Sequence, residues 1–238
     1  MTWRALLSAL GLWSREAKAA LLANLGFTAI AALLAWPLTR LPSMAAWGLG
    51  SALSCAFFLS LIRVLRGLDR GEGLSLRAWA GGLKGSGADA FPSALLLMGT
   101  LAAGSAAAGG APFGAGLFGL AVWLGLGALL SLGLAAPEGQ PWWAAAWAGL
   151  LAAVAFLPAA LAAVALLSWL GGFWALWLGP DFRGAGFFWA PLLLAPFFTP
   201  SFYAAYLYYL AQGIKDRSQG KRPLDQAPTL KEILKPWR

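Results

Sequence analysis

Between Lys84 and Arg183 the only charged residues are Asp89, Glu138 and Asp181. A single membrane crossing needs about 20 apolar residues, so a stretch of this length holds several. In hydrocarbon, backbone amides are satisfied only within helices or closed barrels, and the alternating polarity of barrel strands is absent. The sequence therefore predicts an all-α, polytopic transmembrane helical bundle. Composition agrees. Charged residues make up 11% of the chain and mean hydropathy is +0.71, whereas a soluble domain carries about 25% charge to keep its surface in water. Abundant Ala, Leu, Gly, Pro and Trp beside scarce Asn and Ile fit a GC-rich bacterial genome.

Six spans are expected, at about 19–36, 44–62, 92–108, 113–136, 142–170 and 187–212, forming a single membrane domain over 1–212 with a basic cytoplasmic tail at 213–238. Pro37 closes the first span, because proline disfavours helical backbone at the residue before it. Gly109-Gly110-Ala111-Pro112 separates the third from the fourth, and the turn at 137–141 separates the fourth from the fifth. Residues 142–178 as one helix would reach about 55 Å, well beyond a hydrocarbon core of about 30 Å. The preferred reading is one long span kinked at Pro158, ending near Gly171-Gly172. A Trp-rich stretch with Trp169, Trp174 and Trp177 then forms an interfacial belt.

Two amphipathic interfacial helices complete the architecture. Trp3, Leu6, Leu7, Leu10 and Trp13 recur at helical spacing, with Arg4, Ser8 and Arg15 on the other side. Leu76, Trp79 and Leu83 repeat the pattern beside Arg77 and Lys84, and Ser75 is placed to cap them. Near the C-terminus, Thr229 and Glu232 have the spacing of a capping box.

Charge sets the orientation. With the N-terminus inside, fifteen of the seventeen Lys and Arg residues fall on the cytoplasmic side, leaving Arg40 and Arg183 outside. This is the positive-inside pattern, and it predicts both ends in the cytoplasm of a bacterial inner-membrane, multi-pass protein. It also accounts for the net charge of +8 without nucleic acid as a partner.

The same scarcity limits the chemistry. There is no histidine and one cysteine, Cys55, so neither an internal disulfide nor a Cys/His metal site is available. No metal and no cofactor are expected. Glu138 and Asp181 should lie on opposite sides of the membrane and cannot act as an acid–base pair, so no catalytic residues are assigned. No ionisable group falls at mid-membrane depth, which argues against proton coupling and charged substrates. The intramembrane polar and kink positions are Asn24, Pro158, Pro191 and Pro196. Asn24 reads more simply as an interhelical hydrogen bond, and prolines are common in membrane helices. Small residues every fourth position, Gly99, Ala103 and Ala107, and likewise Gly48 and Ala52, suggest close seams between helices. The loop bearing Arg63, Arg66, Arg70, Arg77 and Trp79 is the candidate partner-binding surface.

Residues 20–95 carry a further pattern. Asn24 and Pro37 precede a short turn and a small-residue second span. Then come Arg-Val-Leu-Arg-Gly-Leu-Asp-Arg-Gly-Glu at 63–72 and Leu-Arg-Ala-Trp-Ala-Gly-Gly-Leu-Lys at 76–84. This order resembles the YesL-type family of bacterial integral membrane proteins, with Asn24, Pro37, Arg66, Gly71, Glu72 and Trp79 matching best. The turn Pro-Leu-Thr-Arg-Leu-Pro departs from that pattern, and Trp79 stands where Phe is usual. The resemblance implies a six-helix membrane protein of undefined biochemistry, suspected of assisting carbohydrate uptake. It implies no catalytic or ligand residues.

These features lead to a non-enzymatic accessory or scaffold protein, associated with the lipid bilayer and with a membrane-protein partner such as a permease. The alternative is a transporter or channel for a neutral or amphipathic solute.

Overall fold

The computed structural model describes residues 2–38, 40, 42–72, 76–134, 142–166 and 189–221, without the side chains of 76–84, 189–199 and some of 27–47. The described residues are helical throughout, with no strand. In chain order the helices are α1 (Thr2–Arg15), α2 (Ala17–Leu38), α3 (Ser43–Asp69), α4 (Leu76–Ala108), α5 (Gly114–Leu134), α6 (Trp142–Ala155), α7 (Leu157–Leu166) and α8 (Trp189–Ser218). The turn at 137–141, the Trp-rich stretch and the C-terminal capping box lie outside the described residues.

Large apolar side chains cover much of the outside, and a few polar groups are buried within an otherwise apolar core. Leu33, Phe118, Leu151 and Val154 are each more than 60% exposed, while Asn24, Ser86, Ser131 and Ser201 are completely buried. In water this arrangement would leave large apolar patches; in lipid it places each group in a favourable solvent. Among the described residues, three helical stretches are long and apolar enough to cross a membrane: Gly48–Asp69, Gly85–Ala108 and Gly114–Leu134. A fourth is the bent pair α6–α7.

Several sequence expectations change at this level. The interfacial helix at 76–84 and the third span are one continuous helix, α4, with Pro92 in its interior. At 33 residues it is about 50 Å long, so part of it must extend beyond a hydrocarbon core of about 30 Å. The second helix does not end near Ile62; α3 continues to Asp69. The kinked fifth span is two helices meeting at 100°. The break falls at Phe156, whose carbonyl accepts from the Ala159 and Ala160 amides at 2.8 and 3.0 Å. Pro158 thus sits in the first turn of α7, where its missing N–H removes no helical bond. In α1 the large apolar stripe is divided. Leu7 is buried together with Ala5, Ser8, Ala9 and Leu12, whereas Trp3 and Leu10 are exposed. The small side chains let α1 approach the bundle closely.

α8 is the central helix. Five consecutive residues, Tyr203 to Leu207, are buried, so it is enclosed on every side. It packs against α1, α2, α3 and α5, and the Tyr203 hydroxyl donates to the Ala163 carbonyl of α7 at 3.1 Å. Glycines set the tightest crossings. A Cβ on Gly149 of α6 would lie 2.5 Å from the Gly127 carbonyl of α5, and one on Gly133 would lie 2.8 Å from the Leu207 carbonyl of α8. Gly99 faces Leu124 and Gly48 faces Met98, so both small-residue seams are internal.

Candidate functional site

Three polar clamps tie the helices together, and they determine which predicted site residues are available for anything else. The first joins α2 to α8. Asn24 Nδ2 donates to Ser201 Oγ at 2.8 Å, and its Oδ1 accepts the Ser201 N–H at 2.7 Å. Ser201 follows Pro200, and a proline inside a helix disrupts backbone hydrogen bonding around it. In lipid the freed groups need a partner from a neighbouring helix, and Asn24 supplies one. Trp13 Nε1 reaches the same Ser201 hydroxyl at 3.3 Å, which brings α1 to this point too.

The second clamp joins α3 to α4. Arg63 Nη2 donates to the Asp89 carboxylate and Nη1 to Ser86 Oγ at 3.4 Å. The Arg63 side chain is only 7% exposed. It is therefore part of the bundle interior rather than of a docking surface, which corrects its placement at the water-facing exit of the second span. Its Nε and the neighbouring Ser60 hydroxyl are buried without a hydrogen-bond partner. A further contact besides the three clamps, Ser93 with Ser131 at 2.6 Å, joins α4 to α5 in the core.

The third clamp lies where α1, α3 and α8 meet. Tyr209 donates to Asp69 Oδ1 at 2.6 Å, and Arg15 Nη2 lies 3.6 Å from the same oxygen. Arg15 precedes α2, Asp69 ends α3 and Tyr209 is in the last third of α8. The start of α2 and the ends of α3 and α8 are thus at one end of the bundle.

At that end four basic residues line an open cavity of about 350 Å³. Arg66 and Arg70 enter from α3, one helical turn apart, and Lys215 and Lys221 enter from the end of α8. Tyr208, Gln212, Lys215 and Gln219 recur at i, i+4, i+7 and i+11, a spacing that puts them on one face of α8. Gly133 and Leu134, at the end of α5, complete the wall. Among the described residues, Asp216 is the single carboxylate lining the cavity. Glycines end the flanking helices: Gly71 (φ 82°) follows α3 and Gly220 (φ 71°) follows α8. The Glu72 amide returns to the Gly67 carbonyl and the Lys221 amide to the Asp216 carbonyl. Both are the glycine-stopped ends that satisfy final helical carbonyls.

A second cavity, apolar and about 660 Å³, lies between α4, α5 and α7. Its walls include Leu97, Phe118, Leu129, Leu161 and Val164. Thr100, its hydroxyl lining residue, already donates to the Leu96 carbonyl at 2.9 Å.

Of the predicted partner-binding residues, the structure brings Arg66 and Arg70 together, turns Arg63 inward, and places Arg77 and Trp79 in α4 with side chains outside the described set. Of the kink positions, Pro158 opens α7, while Pro191 and Pro196 fall within α8 with side chains outside that set. Lys215, Lys221, Tyr208 and Gln212 were missed as site residues. The polar i, i+4, i+7 spacing at the end of α8 was the available signal, and it was absorbed into the charge count for topology. Compared with protein-family models, curated proteins and solved structures, the chain matches none.

Proposed function

We propose that this chain is a non-enzymatic accessory or scaffold protein of a bacterial inner membrane, with six spans and both ends in the cytoplasm. In this reading it associates with a membrane-protein partner, such as the permease of a solute or carbohydrate uptake system. The YesL-type resemblance over residues 20–95 is part of the same proposal. The observation that carries it is the convergence of Arg66, Arg70, Lys215 and Lys221 on an open surface at one end of the bundle. That basic surface suits a cytoplasmic contact.

Recovery of tagged protein from native membranes in mild detergent, with mass spectrometry of what is retained, tests the reading. A stoichiometric membrane protein is expected, and its recovery should be lost in the charge reversal Arg66→Glu/Arg70→Glu while membrane insertion persists. Homogeneous protein with no partner, or recovery unchanged by the reversal, would overturn it.

The 100° break between α6 and α7 beside the apolar cavity favours a second reading, a transporter or channel for a neutral or amphipathic solute. Flux of such a solute into liposomes containing this chain alone, reduced by Pro158→Ala, is the result it requires.

A further inference from the structure

We infer that the cavity at the end of α3, α5 and α8 binds the phosphate group of an anionic phosphate ester, as in a phospholipid headgroup. The inference rests on the reading of a membrane-embedded bundle and is independent of whether a protein partner docks at the same end. A basic cytoplasmic rim needs no concavity to orient a protein, so the topology signal alone does not account for the shape of this site. Arg66 and Arg70, at i and i+4, project from one face of α3, and the polar face of α8 lies opposite. Among the described residues, four cations share the enclosure with the one carboxylate of Asp216, an excess of positive charge. Arg offers a planar fork of donors that matches phosphate oxygens, and Lys adds a compact charge. Tyr208, Gln212 and Gln219 supply neutral donors around the same space.

The ends of three helices would ordinarily oppose an anion, because their last carbonyls carry partial negative charge. Here the turns after Gly71 and Gly220 return backbone amides to those carbonyls on α3 and α8, which reduces that opposition. The volume of about 350 Å³ is of the size of small-ligand sites and too small for a folded partner. The cavity is bounded by α5, whose Gly133 lies close enough to α8 to exclude a Cβ.

The test uses purified full-length chain in phosphatidylcholine nanodiscs with and without phosphatidylglycerol. The readouts are retained phospholipid by native mass spectrometry, and titration with inorganic phosphate and glycerol phosphate. Two charge-matched doubles are compared. Arg66→Gln/Lys215→Gln removes cations inside the cavity, and Lys18→Gln/Arg217→Gln removes two that do not line it. The first should weaken phosphatidylglycerol retention roughly fivefold per cation removed, and the second should leave it near the parent value. Gln212→Glu, which adds a carboxylate to the cavity, should also weaken retention and stands in if loss of Arg66 disturbs folding. Retention of phosphatidylglycerol over phosphatidylcholine with this residue dependence identifies a lipid source. Binding of the soluble phosphates with the same dependence identifies a free one. Equal loss in both doubles, or no binding of either kind, would overturn the site, whatever the partner experiment finds.

Discussion

Asn24 holds Ser201 by both ends of its amide, at 2.8 and 2.7 Å, across 177 positions of sequence. One side chain fastens the first long helix to the central one, directly after a proline inside that helix. Asn24→Ala should lower stability by about 1–2 kcal/mol, read as a fall in melting temperature in detergent. Because the Ser201 amide depends on Asn24 only while Pro200 disturbs the helix, Pro200→Ala should make the same substitution less costly. Equal losses in both backgrounds would show that the two features are uncoupled.

Arg63 and Asp89 form an unequal pair, with side-chain exposures of 7% and 31%. Asp89→Ala leaves a guanidinium in the bundle without its counter-charge and should cost about 3 kcal/mol. The double replacement Arg63→Met/Asp89→Leu removes both charges and should be milder than Asp89→Ala alone. Unfolding measurements on the two singles and the double check this order.

Gly149 and Gly119 give a matched comparison. A methyl at Gly149 meets α5 backbone, whereas nothing lies within 4 Å of one at Gly119. Gly149→Ala should therefore cost about 1–3 kcal/mol. Gly119→Ala should be neutral or stabilising by up to about 1 kcal/mol, since alanine loses less conformational freedom on ordering. Thermal melting in one detergent separates them.

Tyr209→Phe deletes the hydroxyl that donates to Asp69 without changing shape. A loss of about 1–2 kcal/mol is expected for a bond to a charged acceptor. Since Arg15 shares that carboxylate, hydrogen exchange of the α1 amides should quicken. Unchanged exchange would mean that packing alone holds that helix.

How much of this was legible beforehand follows from which physical signals are one-dimensional. Hydrophobic run length is local, so the all-helical architecture and the helices around 44–62, 92–108 and 113–136 could be read directly. The closing of α4 at Gly109-Gly110 was equally local: Gly110 adopts φ 76°, which few other residues tolerate. Partnership is not local. Arg63 carries the same charge as Arg66 and sits one turn away, yet it turns inward because Asp89 and Ser86 of α4 face it. Arg66 faces α8 instead. The stripe in α1 was half informative for a related reason: Leu7 turns inward while Trp3 and Leu10 stay exposed, and the small residues beside it make the close approach. The right-angled break at Phe156 was obscured by Pro158, two residues on, which is well tolerated where it stands.

The enclosure of α8 also has a consequence for biogenesis. Trp13 and Ser201 are 188 positions apart, which at ~5–20 residues per second separates their synthesis by roughly 10–40 s. By the end of that interval α1, α2, α3 and α5 have been made with no axle to assemble around. The bundle is therefore completed by its hub, not by its rim. A ribosome that stops before α8 releases a set of helices lacking their common centre, rather than a protein trimmed at one edge.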